Sequence, residues 1–307
     1  MANSSKIDWL YHRLLSEETK EAAEKAILNI AIFSFLIHLA FIYVVDFELV
    51  FFDSKTELLK NPIAAIYTPF SFILIYEVYL LIYYLPKSFT TYISKQYEII
   101  TLIIIRRLFK DLASLEISSN WFQIKNDLQF TYDIVASLLL FYLIFLFYMQ
   151  SRKTFKSTAP GEILPTDITK FINFKKMIAV GLVPVLLVLA TYTFVSWTIG
   201  TFYPSAELNM PFKNINNIFF DEFFTILIIV DVILLLLSFF HTDQFYKVIR
   251  NSGFIISTIL IRLSFSVDGL INTILIITAV VFGLLILAIH NKYHENSLPE
   301  AVQEEPG

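Results

Sequence analysis

The chain contains no cysteine. That excludes disulfides, thiolate nucleophiles and Cys-ligated metals, and leaves the compartment unreadable from redox chemistry. Glycine is scarce, with seven residues in 307. Close GxxxG contacts are therefore largely excluded, and helices must meet through Ile, Leu and Phe. HExxH, Walker, GxSxG and GxGxxG signatures are all missing, and no nucleophile motif or acid/base pair clusters near a membrane surface. The expectation is a protein that is not an enzyme and needs no cofactor, metal or nucleic acid. Of five scattered histidines, only His290 and His294 stand at i,i+4. They fall towards the tail, where a solvated pair is expected rather than a metal site.

Charge is also sparse, at 16% of residues, while 56% are hydrophobic. The mean hydropathy is +0.66. A soluble domain of this size has too little polar surface to cover such a chain. Apolar runs occur at about 26–45, 62–85, 132–150, 177–199, 219–240 and 269–290. Each is long enough to cross a hydrocarbon core of ~30 Å. Residues 1–25 are polar and mixed in charge, with no cleavage site after the first apolar run, so that run is expected to stay as a signal-anchor. Ser16 can cap a surface helix over residues 6–25, with Glu17 and Glu18 in its first turn.

A repeat adds two further segments. Phe89 to Phe109 and Phe245 to Phe265 match at eight of 21 positions, including Ile93/Ile249, Arg106/Arg262 and the paired phenylalanines. Glu77-Val78 stands where Asp231-Val232 stands in the second copy. An internal repeat bears on the whole fold. Counting both arginine segments as spans gives eight helices. One side then collects roughly 15 Lys/Arg, against about five on the other, the asymmetry of the positive-inside rule. The expected fold is an all-α polytopic bundle. It has a cytoplasmic amphipathic N-terminal helix (1–25), a first four-helix repeat (26–150) and a basic cytoplasmic linker (151–173). A second four-helix repeat (174–291) and an acidic disordered tail (292–307) follow. An even number of spans per unit makes the repeats parallel. Both termini are expected in the cytoplasm of a cell whose plasma (inner) membrane holds the protein.

Ionisable residues inside a bilayer are costly and mark functional sites by default. Glu77, Asp231, His38 and Glu98 are the candidate ion or proton site. The first three-dimensional expectation is that His38, Glu77 and Glu98 meet near mid-membrane. A carboxylate there must take a proton or find a cation. Arg106, Arg107 and Arg262 are candidate structural or gating charges, with Arg106–Asp133 and Arg262–Asp268 as the expected pairs. Arg106, Arg107 and Lys110 lack the sustained spacing of a voltage sensor, and no TVGYG filter is present. Pro69 and Pro184 are expected to interrupt spans and free the carbonyls of Ala65 and Val180.

Two functions fit these features. One is a channel or transporter for an ion or small solute, with proton coupling. The other is a membrane scaffold or assembly subunit that docks a cytoplasmic protein through 1–25 and 151–176. Expected partners are the lipid bilayer, the solute, and either a second copy of the chain or that cytoplasmic protein.

Overall fold

The structure is a computed structural model that describes residues 2–47, 65–112, 125–156, 166–202, 213–240, 244–267 and 269–297. The described residues form nine α-helices and no strand. They are α1 (Ala2–Leu14), α2 (Glu17–Asp46), α3 (Tyr67–Tyr84), α4 (Phe89–Leu112), α5 (Lys125–Lys156), α6 (Thr166–Phe202), α7 (Lys213–Phe239), α8 (Phe245–Ser264) and α9 (Leu270–Ser297). Five stretches are long and apolar enough to cross a membrane: Lys6–Asp46, Asp127–Arg152, Thr169–Tyr192, Glu222–Phe239 and Leu270–Asn296. Thr68–Tyr84 is a shorter apolar helix.

The exposed surface explains why lipid is the fitting solvent. Phe33, Ile37, Leu138, Phe141, Val188 and Phe240 are each more than three-fifths exposed. An exposed apolar area of this breadth marks a membrane or partner interface. Polarity is turned inward instead. In α8 the buried face carries Asn251, Ser257, Thr258 and Ser264, while Ile249, Ile256 and Leu263 face out. In α4, Thr90, Ser94, Gln96, Thr101 and Arg106 are buried and Leu102 faces out. This inside-out pattern is why these two helices look weakly hydrophobic in sequence.

Local signals account for the helix ends. Ser16 does cap a helix, accepting the Thr19 amide at 3.1 Å. That helix is α2, which runs unbroken from Glu17 into the apolar run. The sequence from Ala22 to Ile30 has no helix breaker, so the expected boundary at residue 25 gives way to one at Leu15 and Ser16. Pro69 also corrects its expectation. It lies in the first turn of α3, where a missing N–H removes no intrahelical bond, so it leaves the helix uninterrupted. Pro184 does lie inside a continuous helix, α6. The acidic tail begins later than expected, because α9 continues through Tyr293 and His294 to Ser297.

Packing runs in chain order within two groups. α2 packs on α3, α3 on α4 and α4 on α5; α6 packs on α7, α7 on α8 and α8 on α9. The groups join through α5 against α9, α3 against α6 and α4 against α8. At the centre, the Tyr97 ring meets Phe147 edge-on at 5.2 Å, and Phe147 lies 5.7 Å from Phe254. The Tyr97 hydroxyl is 2.7 Å from Ser257 Oγ, which donates to the Ala279 carbonyl. Gly283 of α9 lies directly against that hydroxyl. Helix α1 closes one end of the bundle. Lys176 of α6 reaches Asp8 at 3.1 Å, and the Tyr79 hydroxyl of α3 donates to the Leu14 carbonyl at 2.8 Å.

Candidate functional site

Four polar assemblies sit within this apolar bundle. The first surrounds Asp231. It lies in α7 among residues of α4, so it sits between the two groups of helices. Its carboxyl is almost wholly enclosed, at 2% exposure. Gln96 Nε2 donates to Oδ2 at 3.2 Å. The Tyr92 hydroxyl lies beside the same carboxyl without hydrogen-bond geometry, and Oδ1 has no hydrogen-bond partner. A buried oxygen in that state is costly. Beside it is a cavity of about 20 Å³ lined by Gln96, Asp231 and Thr258 with Ile100, Phe224 and Ile261. That is room for one water molecule. Lys175 of α6 lies close enough for Coulomb attraction to Asp231. Lys175 is itself buried, donating to the Lys87 carbonyl at 3.0 Å and lying 4.3 Å over the Phe89 ring.

The second assembly is Glu77 of α3 with Arg106 of α4. Both are buried, and Arg106 acts on the Glu77 carboxyl by Coulomb attraction. The expected partner of Arg106 was Asp133. The structure gives Asp133 to the neighbouring residue instead: Arg107 Nη2 donates to Oδ1 at 2.6 Å, and Arg107 Nε donates to Oδ2. Successive helical residues point ~100° apart. Arg106 thus turns to α3 while Arg107 turns to α5.

Arg107 and Asp133 form the core of the third assembly. Gln129 and Thr273 also donate to Asp133 Oδ1, at 2.9 and 3.3 Å. Arg107 Nη1 donates to Asn272 Oδ1 at 3.0 Å, and Asn272 Nδ2 donates to the Ser264 carbonyl at 2.6 Å. The network ties α4, α5, α8 and α9 at the end of the bundle opposite α1. Asp268, expected to pair with Arg262, lies outside the described residues. Arg262 is half-buried in the last turn of α8.

The fourth assembly holds Glu98. Lys95 donates to its carboxylate at 2.8 Å, and the Tyr148 hydroxyl also donates to it. Lys95 lies 5.3 Å over the Tyr84 ring. Tyr84, Lys95 and Glu98 line, with Lys20, Glu24 and Tyr76, a cleft of about 250 Å³ between α2, α3 and α4. His38 is elsewhere, with Nδ1 2.5 Å from Thr68 Oγ1. Thr68 is ~13 Å along α3 from Glu77, and Glu98 is ~12 Å along α4 from Arg106. The expected meeting of His38, Glu77 and Glu98 therefore does not occur.

Sequence reasoning missed Gln96, Tyr92 and Lys175 around Asp231. The available signal was weak: a glutamine inside an Ile-rich run and a lysine just before an apolar one. His290 was misjudged as solvated. It is buried in α9 and bonded to Arg250. Among the described residues, no group of three His, Cys, Asp or Glu side chains is placed to hold a metal ion. No protein-family model, curated protein or solved structure matches this chain.

Proposed function

We propose that this chain is an eight-helix membrane protein, built of two tandem parallel four-helix units, that moves an ion or small solute by coupling to a proton on Asp231. The observation that carries this reading is the Asp231 carboxyl. It is enclosed between the two groups of helices, with one oxygen unpartnered beside a cavity the size of one water. An acid in that setting alternates between a protonated, satisfied state and an ionised state that needs a cation or water. Because the cavity admits one water only, passage requires α7 to move against α4. The reading is non-enzymatic.

The packing order supports the duplicated architecture. Helices in corresponding positions, α4 with α8 and α5 with α9, meet across the join. Helix α4 begins beside Lys175 and ends at the Asp133 network. At ~36 Å for 24 residues it has a span's length. Lys87, Lys175, Lys176 and Arg250 gather at the end where α1 docks. That end is then cytoplasmic by the positive-inside rule, in a plasma membrane.

Proton coupling is tested with purified protein in liposomes holding a pH-sensitive dye, under an imposed potential. Wild type is expected to carry protons, and Asp231→Asn to abolish the current with unchanged insertion. Equal currents in both proteins overturn the coupling role.

The scaffold reading draws on α1, which leaves Trp9 and Leu10 exposed while Tyr11 packs against Lys176. Replacing residues 157–165, between α5 and α6, with a Gly-Ser linker of equal length separates the two readings. A scaffold loses its protein partner in a pull-down, whereas a transporter keeps its flux.

A further inference from the structure

At the end of the bundle where α1 docks, α8 and α9 bring several basic groups together without an acid among the described residues of the cluster. Arg250 donates from Nε and Nη2 to Asn251 Oδ1, at 3.2 and 3.0 Å. Its Nη1 lies 3.2 Å from His290 Nε2. A guanidinium only donates, so His290 Nε2 accepts and His290 is a neutral imidazole with its proton on Nδ1. That proton faces Asn291 Oδ1 at 3.4 Å. Asn291 in turn donates to the Gln150 carbonyl of α5 at 2.8 Å. The network holds the guanidinium in one orientation, from its neutral side.

These contacts use three of the five N–H donors of Arg250, leaving one on Nη1 and one on Nη2. None of these partners carries negative charge. Lys247, one turn earlier, is half-buried and close enough to Arg250 for mutual repulsion. Lys175, whose own counter-charge is Asp231, feels the same guanidinium more weakly. A permanently charged arginine held among other cations, with neutral partners only, is unfavourable unless an anion joins it. One donor remains on each terminal nitrogen for the oxygens of a phosphate, and Lys247 supplies a second point charge. Phe245, Ile249 and Ile289 flank the cluster as exposed apolar side chains.

We propose that Arg250 and Lys247, oriented by Asn251 and His290, form a binding site for a phosphate group. This site is separate from Asp231 and does not rest on the transport reading. The exposed apolar flank suits a phospholipid headgroup, and free phosphate presents the same chemistry.

The test uses the full chain, delipidated in detergent, followed by thermal unfolding with added inorganic phosphate. In parallel, the protein is placed in phosphatidylcholine nanodiscs with and without phosphatidylglycerol, and retained lipid is counted by native mass spectrometry. Lys247→Gln is the main variant, because among the described residues this side chain makes no hydrogen bond or ion pair that holds the fold. Arg250→Gln is the second, and Lys25→Gln, exposed on α2, is the control. Stabilisation by phosphate, weakened about tenfold in apparent affinity by Lys247→Gln and not by Lys25→Gln, supports the site with free phosphate as ligand. Retention of phosphatidylglycerol with the same variant pattern, without a response to phosphate, supports the lipid source. If neither probe binds, or if Lys247→Gln and Arg250→Gln both bind as wild type does, the proposal is overturned.

Discussion

Asp133 and Asp231 are both enclosed aspartates, and the same substitution is expected to have unequal consequences at the two. At Asp133, two Arg107 nitrogens, Gln129 and Thr273 all donate to the carboxylate. The side chain is fully buried, while Arg107 retains 28% exposure. In Asp133→Asn, an oxygen kept at the Oδ1 position still accepts from Arg107 Nη2, Gln129 and Thr273. The new Nδ2 then faces Arg107 Nε, donor against donor, and the arginine loses its counter-charge. Breaking a buried pair from one side costs about 3–5 kcal/mol. The partial exposure of Arg107 puts this case near the lower end, at about 3 kcal/mol. At Asp231 the only hydrogen bond among the described residues is from neutral Gln96, and the amide oxygen introduced by Asp231→Asn can keep it. The orphan Oδ1 becomes an amide group with no charge to desolvate. Asp231→Asn is therefore expected to stay within about 1 kcal/mol of wild type. Unfolding in mixed micelles with increasing SDS, read by tryptophan fluorescence, measures both. Pairing Asp133→Asn with Arg107→Gln is expected to recover at least about 1.5 kcal/mol as coupling. Equal costs at the two aspartates, or no coupling in the double variant, refute the reasoning.

Other outcomes follow from single contacts. A methyl group at Gly283 overlaps the Tyr97 hydroxyl, so Gly283→Ala is expected to cost about 1–3 kcal/mol. Adding Tyr97→Phe should return part of that in the same SDS titration. Ser16→Ala removes the cap on the Thr19 amide and is expected to cost about 1 kcal/mol, seen as faster hydrogen exchange at residues 18 to 20. Because the chain has no cysteine, single thiols report sidedness cleanly. In intact cells an impermeant maleimide is expected to label Ser266→Cys and to leave Ser88→Cys unmodified. The reverse pattern inverts the topology, and labelling of Arg152→Cys, exposed near the end of α5, removes α4 from the set of spans.

The membrane class was legible because composition leaves no other solvent for so much apolar surface. The Ser16 cap was legible because capping is local chemistry. The weak hydropathy of α4 and α8 was harder to read, since an average over a helix mixes the inward face of Gln96 and Ser257 with the outward face of Leu102 and Ile256. Helical phase decided the Asp133 pair. Position along the chain favoured Arg106, but the rotation of α4 hands the contact to Arg107. Pro69 looked like an internal break only while α3 was taken to begin at residue 62. The neighbours of Asp231 were the least visible. Gln96 and Tyr92 come from a helix more than a hundred residues away and belong to no motif.

Docking of α1 sets an order of assembly. Its anchors are the Tyr79 hydroxyl on α3 and Lys176 on α6. During synthesis the first fourteen residues leave the ribosome long before Lys176 exists. Until then this helix has only part of its seat, and Tyr11, which Lys176 later covers, is open to the membrane surface or to a chaperone. Closure of the N-terminal helix thus reports that the second group of helices has begun to arrive, and a chain truncated before residue 176 should keep its N-terminus open to protease.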